Sequence, residues 1–191
     1  GEFRLFYEYG SGSNETNTTS SFDLSADTWT HVAVVRDDAS GNALFYKNGA
    51  LVETESASND PTGGTSTDAK MTIGNSFANS NGFNGELAHV RVWNTARSAS
   101  EIAYYYNRLV DSDDSNLVGY WKLNEGTGAA VADSSSNSNS GTITGASWSN
   151  NGFDQFIHAF GLSFKDTVME DNMYHGSILN RNISIRDSID I

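Results

Sequence analysis

Oxygen-bearing side chains dominate the chemistry open to this chain. Asp111-Ser112-Asp113-Asp114 and the polar run that begins at Asp133 concentrate carboxylates, amides and hydroxyls in short segments. Such loops can supply the roughly six to eight hard oxygen ligands that calcium takes. The same composition also makes solvated turns braced by Asx hydrogen bonds. The four histidines, His31, His89, His158 and His175, are scattered along the chain, and His31 is expected to pack or hydrogen-bond structurally.

Catalytic constellations are missing. There is no cysteine, which removes thiolate nucleophiles, disulfides and Cys-ligated zinc together. Neither a Gly-x-Ser-x-Gly elbow nor a Gly-rich Walker loop is present. Glycoside hydrolysis asks for two carboxylates, one to protonate the leaving oxygen and one to attack or to activate water. Glu86-Leu87-Ala88-His89-Val90-Arg91-Val92 offers one Glu at its edge and no second acid two or four residues on. A non-enzymatic role is expected, and an enzyme reading would need turnover lost at Glu86 or Glu125.

Charge narrows the partners. Acidic residues number 24 against 11 basic ones, for a formal net charge of −13 over 191 residues. Nucleic-acid binding rests on Lys and Arg displacing phosphate counterions, so the sign is wrong for that partner. No run approaches the ~20 apolar residues of a membrane span, so no membrane insertion is expected. Gly1-Glu2-Phe3-Arg4 lacks an initiator methionine and a signal-like apolar core, which suggests a piece of a longer polypeptide.

The positioning elements read mainly as strands. Phe3, Leu5, Tyr7 and Tyr9 alternate as a half-buried strand does, and residues 10–20 read as a loop. Residues 29–36 are dense in β-branched and aromatic side chains and end at the turn formers Asp37-Asp38-Ala39-Ser40-Gly41-Asn42. Asn48-Gly49 between two apolar runs predicts a hairpin with a type I′ turn. Met71-Thr72-Ile73-Gly74 reads as a short strand and residues 75–84 as a loop. Residues 87–93 read as a strand with Ala88, Val90 and Val92 inward. Ser98-Ala99-Ser100-Glu101 is a capping box ahead of a helix over 102–109, and residues 117–123 read as a further strand. Short strands, long polar loops and one capped helix predict an all-β sandwich.

These residues resemble the laminin-G-like jelly rolls of the concanavalin A-like lectin/glucanase superfamily in three places. Trp29-Thr30-His31-Val32-Ala33-Val34 with Tyr46-Lys47-Asn48-Gly49 is similar to the family's W-x-H-V-A-V strand and Y-x-N-G hairpin. Phe83-Asn84-Gly85-Glu86-Leu87-Ala88-His89-Val90-Arg91-Val92-Trp93-Asn94 with Ser98 to Ile102 resembles its F-x-G-x-I-D-x-V-R-I-W-N strand and S-x-x-E-I helix, with His89 where the family often has Asp. Tyr120-Trp121-Lys122-Leu123-Asn124-Glu125-Gly126-Thr127-Gly128 with Asp133 to Trp148 is similar to its Y-W-x-F-x-E-G-x-G and D-S-S-G-N opening. The resemblance implies a two-sheet antiparallel jelly-roll sandwich over 1–148. In the family the third set comes first. Here it comes last, so either another domain begins at Leu117 or residues 117–148 fold back to complete the sandwich. Fold-back is preferred, because that stretch is too short for a domain and would otherwise expose Tyr120, Trp121 and Trp148.

The resemblance also implies sites. Asp133, Asn137 and Asn139 are the implied ligands of a structural calcium ion, with Ser136 standing where the family usually has Gly. Carbohydrate binding needs an exposed aromatic against the sugar's C–H face and nearby amides for its hydroxyls. Tyr7, Tyr9, Phe77 and Trp93, with Asn75, Asn79 and Asn81, could form such a site, or the aromatics could pack within the sheets. The expected role is a non-catalytic carbohydrate-binding or adhesion module of a larger extracellular, cell-surface or virion protein, its partners glycans or cell-surface polysaccharide. The competing role is a structural segment of a fibre, sheath or viral appendage. In that role residues 149–191, expected to be a β-rich extension, would pair with neighbouring copies of the chain. Leu162-Ser163-Phe164-Lys165-Asp166-Thr167-Val168 is echoed there by Ile183-Ser184-Ile185-Arg186-Asp187-Ser188-Ile189, as in a stacked strand repeat.

Overall fold

The computed structural model describes residues 22–58, 71–75 and 82–149, together with the backbone of 4–9 and 13–18. The expected C-terminal extension lies outside the described residues apart from Ser149. The described chain is built of antiparallel sheets with one short helix.

β1 (Arg4–Tyr9) and β2 (Ser13–Thr18) form an antiparallel hairpin, with Arg4 opposite Thr18 and Tyr9 opposite Ser13. The polar stretch read as a loop thus contains a strand. Pairing with β1 supplies its backbone hydrogen bonds, so the segment needs no apolar alternation of its own, and β-branched Thr16 and Thr18 suit the extended backbone.

β3 (Val32–Asp37), β4 (Asn42–Lys47) and β5 (Ala50–Ser56) make a three-stranded sheet in that order. The Asn48-Gly49 turn has φ of +49° and +82°, the left-handed pair that a type I′ turn requires. It also anchors the start of β3. Asn48 Oδ1 accepts the His31 N–H at 2.9 Å, and the Asn48 N–H donates to the His31 carbonyl at 2.9 Å.

Helix α1 (Ala99–Tyr105) docks on the same turn. A Cβ on Gly49 would lie 2.6 Å from the Tyr106 ring and 3.2 Å from the Ala103 Cα, so only glycine allows that approach. The expected capping box is present: Ser98 Oγ accepts the Glu101 N–H, and Glu101 accepts the Ser98 N–H at 2.8 Å. Those bonds, with the nearby Arg97, outweigh burial and hold the Glu101 carboxyl below its usual range. The helix starts earlier and ends earlier than the sequence pattern suggested.

Both faces of β4 are covered. Tyr46 packs with Val35 and with Ile102 of α1, while Ala43 and Phe45 pack with Ala57 and Val34. β6 (Val90–Trp93) and β7 (Leu117–Trp121) pair antiparallel with Arg91 opposite Tyr120. β6 is shorter than its alternation implied, because His89 takes φ +55° and leaves the strand. Its Val face is also not the only one packed, since all four residues are half-buried. Arg91 crosses the Tyr120 ring, 5.1 Å from its centroid, and donates to the carbonyls of Tyr105 at 3.1 Å and Arg108 at 2.6 Å.

Leu117 and Tyr120 are fully buried, and Trp121 lies across Gly119. β8 (Ala130–Val131) and β9 (Gly141–Thr142) add a two-residue antiparallel pair. The strand expected at Met71 is instead a bend, with Gly74 at φ +81° and its carbonyl accepting the Phe83 N–H at 2.7 Å.

Two outcomes follow from this packing. Gly49→Ala is expected to cost about 1–3 kcal/mol, because the methyl adds a clash to left-handed strain. Gly126→Ala, also at positive φ but facing open space, should cost less, and thermal melts of the two variants check the order. Deleting residues 117–148 should abolish cooperative unfolding, since β7 carries two of the three largest fully buried side chains. A truncated chain that still melts cooperatively would detach that segment from the core.

Candidate functional site

The implied calcium ligands do come together, at the edge of β7. Asp133 Oδ1 accepts the backbone N–H groups of Tyr120 and Ser135, both at 2.8 Å. Its Oδ2 accepts the Ser135 hydroxyl and the Asn139 N–H, also at 2.8 Å. Burial pushes the Asp133 carboxyl up, but these bonds outweigh it and hold the group below its usual range. Asn137 Nδ2 donates to the carbonyls of Leu117 at 2.8 Å and Val118 at 3.2 Å, and Asn139 Nδ2 donates to Val118 at 2.9 Å. A carbonyl only accepts, so each amide must present its nitrogen there.

This donor set does not fit a calcium ion. A carboxylate has about four lone-pair directions, and four N–H or O–H donors fill them. The braced-turn alternative describes the geometry. Among the described residues no group of three or more His, Cys, Asp or Glu is arranged to hold a metal.

The implied sugar contacts are less complete. Tyr7 and Tyr9 lie on β1 opposite Glu15 and Ser13, while Phe77, Asn79 and Asn81 lie outside the described residues. Trp93 is already covered, with the Arg97 guanidinium 4.1 Å from its ring centroid. Asn75 follows the Gly74 bend, to which an aromatic that the sequence did not mark as a sugar contact is bonded through its backbone. Phe83, tied to Gly74 by its backbone N–H, is 52% exposed. Leu87 also reaches the bend, 40% exposed, with its Cδ1 3.2 Å from where a Gly74 Cβ would stand. Sugar stacking uses an exposed ring with amides within reach. Its signal was the Asn-Gly-Phe-Asn-Gly run from Asn81 to Gly85, which marks a turn whose aromatic has no strand to pack into.

A separate cleft of about 330 Å³ opens between β3, β4 and the start of α1, lined by Val35, Asp37, Leu44, Tyr46, Arg97 and Ser98, among others. Its Arg97 is committed to Glu101 at 3.0 Å and Asp114 at 3.5 Å. Burial raises the Tyr46 phenol above its usual value. The two acids that hydrolysis would need are also engaged. Glu125 Oε1 accepts the Ala132 N–H at 2.7 Å, and Glu86 accepts the Ser149 hydroxyl.

A family model described as the concanavalin A-like lectin/glucanases superfamily matches residues 1–103. No curated protein sequence matches the chain. A solved structure from Bacteroides ovatus, named a "putative carbohydrate binding protein", is similar at TM-score 0.53 and 24% identity, over 70% of this chain and 38% of that one. This chain therefore spans well under half of that protein. An S-layer domain-containing protein from Clostridium thermocellum is similar at TM-score 0.39 and 24% identity, over 55% of this chain and 50% of that one.

His31 completes the set of residues singled out in the sequence. Its ring meets Tyr106 edge-on at 6.1 Å, and its Nδ1 is sealed with no hydrogen-bond partner among the described residues. Burial first, and the Arg91 charge second, lower its pKa to about 4. The folded value lies below the ordinary unfolded value of about 6.5, so the fold holds the neutral imidazole. The associated stability is present above pH ~6.5 and is lost as pH falls toward about 4. His31→Phe keeps a ring against Tyr106 and should flatten the decline in melting temperature across that window. An unchanged slope would assign the decline to other groups.

Proposed function

Because the chain belongs to the concanavalin A-like lectin/glucanases superfamily, we propose that it is a non-catalytic carbohydrate-binding module of a larger secreted or surface-exposed protein. The observation that carries this reading is the exposed Phe83 ring, whose backbone N–H bonds the Gly74 carbonyl next to Asn75. A flat apolar face takes the C–H side of a sugar, and an amide takes its hydroxyls. Tyr7, Tyr9, Phe77, Asn79 and Asn81 are the further contacts proposed from the family pattern.

Charge selects among glycans. At −13 the chain repels anionic polymers at moderate ionic strength, so neutral polysaccharides are the favoured ligands. Engagement of Glu86 by Ser149 and of Glu125 by Ala132 supports binding without turnover. Among the described residues no helix is long and apolar enough to cross a membrane. The similar Bacteroides ovatus protein is named for carbohydrate binding, which supports the same role here.

A panel of neutral and uronic-acid polysaccharides, followed by titration calorimetry on the best binder, tests the reading. Binding should favour the neutral set. Phe83→Ala should weaken it about tenfold, the equivalent of ~1.4 kcal/mol, while Asp37→Ala in the other cleft should leave it unchanged. A blank panel, or equal binding by Phe83→Ala, defeats the proposal. Reducing-sugar release abolished at Glu86 or Glu125 would replace it with hydrolysis.

A further inference from the structure

The Asp133 loop lies where the family pattern implies a calcium ion, yet its side chains already satisfy one another and the adjoining strand. We propose that residues 133–139 are a metal-free clasp, with the Asp133 carboxylate at its centre, that closes the outer edge of β7.

The loop bonds the edge at four backbone groups of β7. β7 has β6 on one side. On the other, the Tyr120 N–H goes to Asp133 Oδ1 and the Tyr120 carbonyl accepts the Ser134 N–H at 2.8 Å. The Val118 carbonyl accepts from the Asn137 and Asn139 amides, and the Leu117 carbonyl accepts from Asn137. The Trp121 indole N–H then donates to the Asn139 carbonyl at 2.8 Å and locks the loop from below.

A calcium ion would need lone pairs of the Asp133 carboxylate as ligands. Here the carboxylate gathers the N–H groups directly, and charge-assisted bonds of this kind are the strong ones. An edge whose Tyr120 N–H and whose carbonyls at 117, 118 and 120 are engaged is a poor template for an added strand. Any copy-to-copy strand pairing must therefore use a different edge from β7.

The test uses the full chain in calcium chloride and in excess EGTA. The melting temperature should be the same in both. Hydrogen exchange at the amides of Tyr120, Ser135 and Asn139 should be slow in both. Asp133→Asn replaces charge-assisted bonds with neutral ones and should lower the melting temperature by about 4 °C or more, with or without calcium. Should that variant fail to fold, Ser135→Ala removes one donor and should speed exchange at Asn139 about tenfold. Free exchange of the three amides in EGTA, with protection appearing only on adding calcium, overturns the clasp in favour of a cation site.

Discussion

Complete burial of Tyr120 is the constraint on which the other described contacts depend. A phenol withdrawn from water must find a partner for its hydroxyl, and His89 Nδ1 stands 2.7 Å away. That pairing accounts for the left-handed backbone at His89, which takes the residue out of β6 so that its ring can reach the phenol. The Tyr120 ring in turn carries the Arg91 guanidinium, and Arg91 reaches on to the carbonyls of Tyr105 and Arg108. One aromatic side chain thus fixes a strand end and, through Arg91, the last carbonyl of the helix and that of Arg108 beyond it. Its backbone fixes the Asp133 loop.

Short strands explain why so much depends on side-chain bonds. β6 spans four residues, and β8 and β9 two each, so their backbone ladders are brief. A net contribution of about 0.5–1.5 kcal/mol per ordinary hydrogen bond, and more for bonds to charged groups, makes the carboxylates of Asp133 and Glu101 and the guanidiniums of Arg91 and Arg97 large relative to the ladders. Arg97 shows the pattern best. It stacks on Trp93 and bonds Glu101 of the helix and Asp114 of the turn before β7. This is also why a chain with an acidic excess places several of its few cations in internal bridges.

What the sequence revealed was local. Asn48-Gly49 and Ser98 to Glu101 announced their geometry because a left-handed pair and a capping box are set within a few residues. The alternation at Leu117 to Trp121 announced a strand for the same reason. β2 was illegible, since Ser13-Asn14-Glu15-Thr16-Asn17-Thr18 has no apolar period and becomes a strand only by facing β1. Both candidate surfaces were partly hidden as well. Phe83 is bonded through its backbone to a bend eight or more residues earlier, and the second cleft joins residues 35–46 to residues 96–99 across the fold.

Motif order obeys the same physics at larger scale. Sheet pairing depends on register and on which faces must be covered, and chain order enters only through the length of the connection. From the end of β6 to the start of β7 the chain travels by way of α1, which itself covers Tyr46. The connection is therefore anchored at Ile102 and through Arg97, and these contacts offset part of the entropy of closing it. A Tyr-Trp strand that the family places first in the chain can then sit beside the Val-Arg-Val-Trp strand when it arrives last, provided Arg91 meets Tyr120 across the pair. That register brings the cation over the ring and turns the other edge of Tyr120 toward Asp133. The two strands therefore depend on the Arg91–Tyr120 match more than on the order in which the chain delivers them.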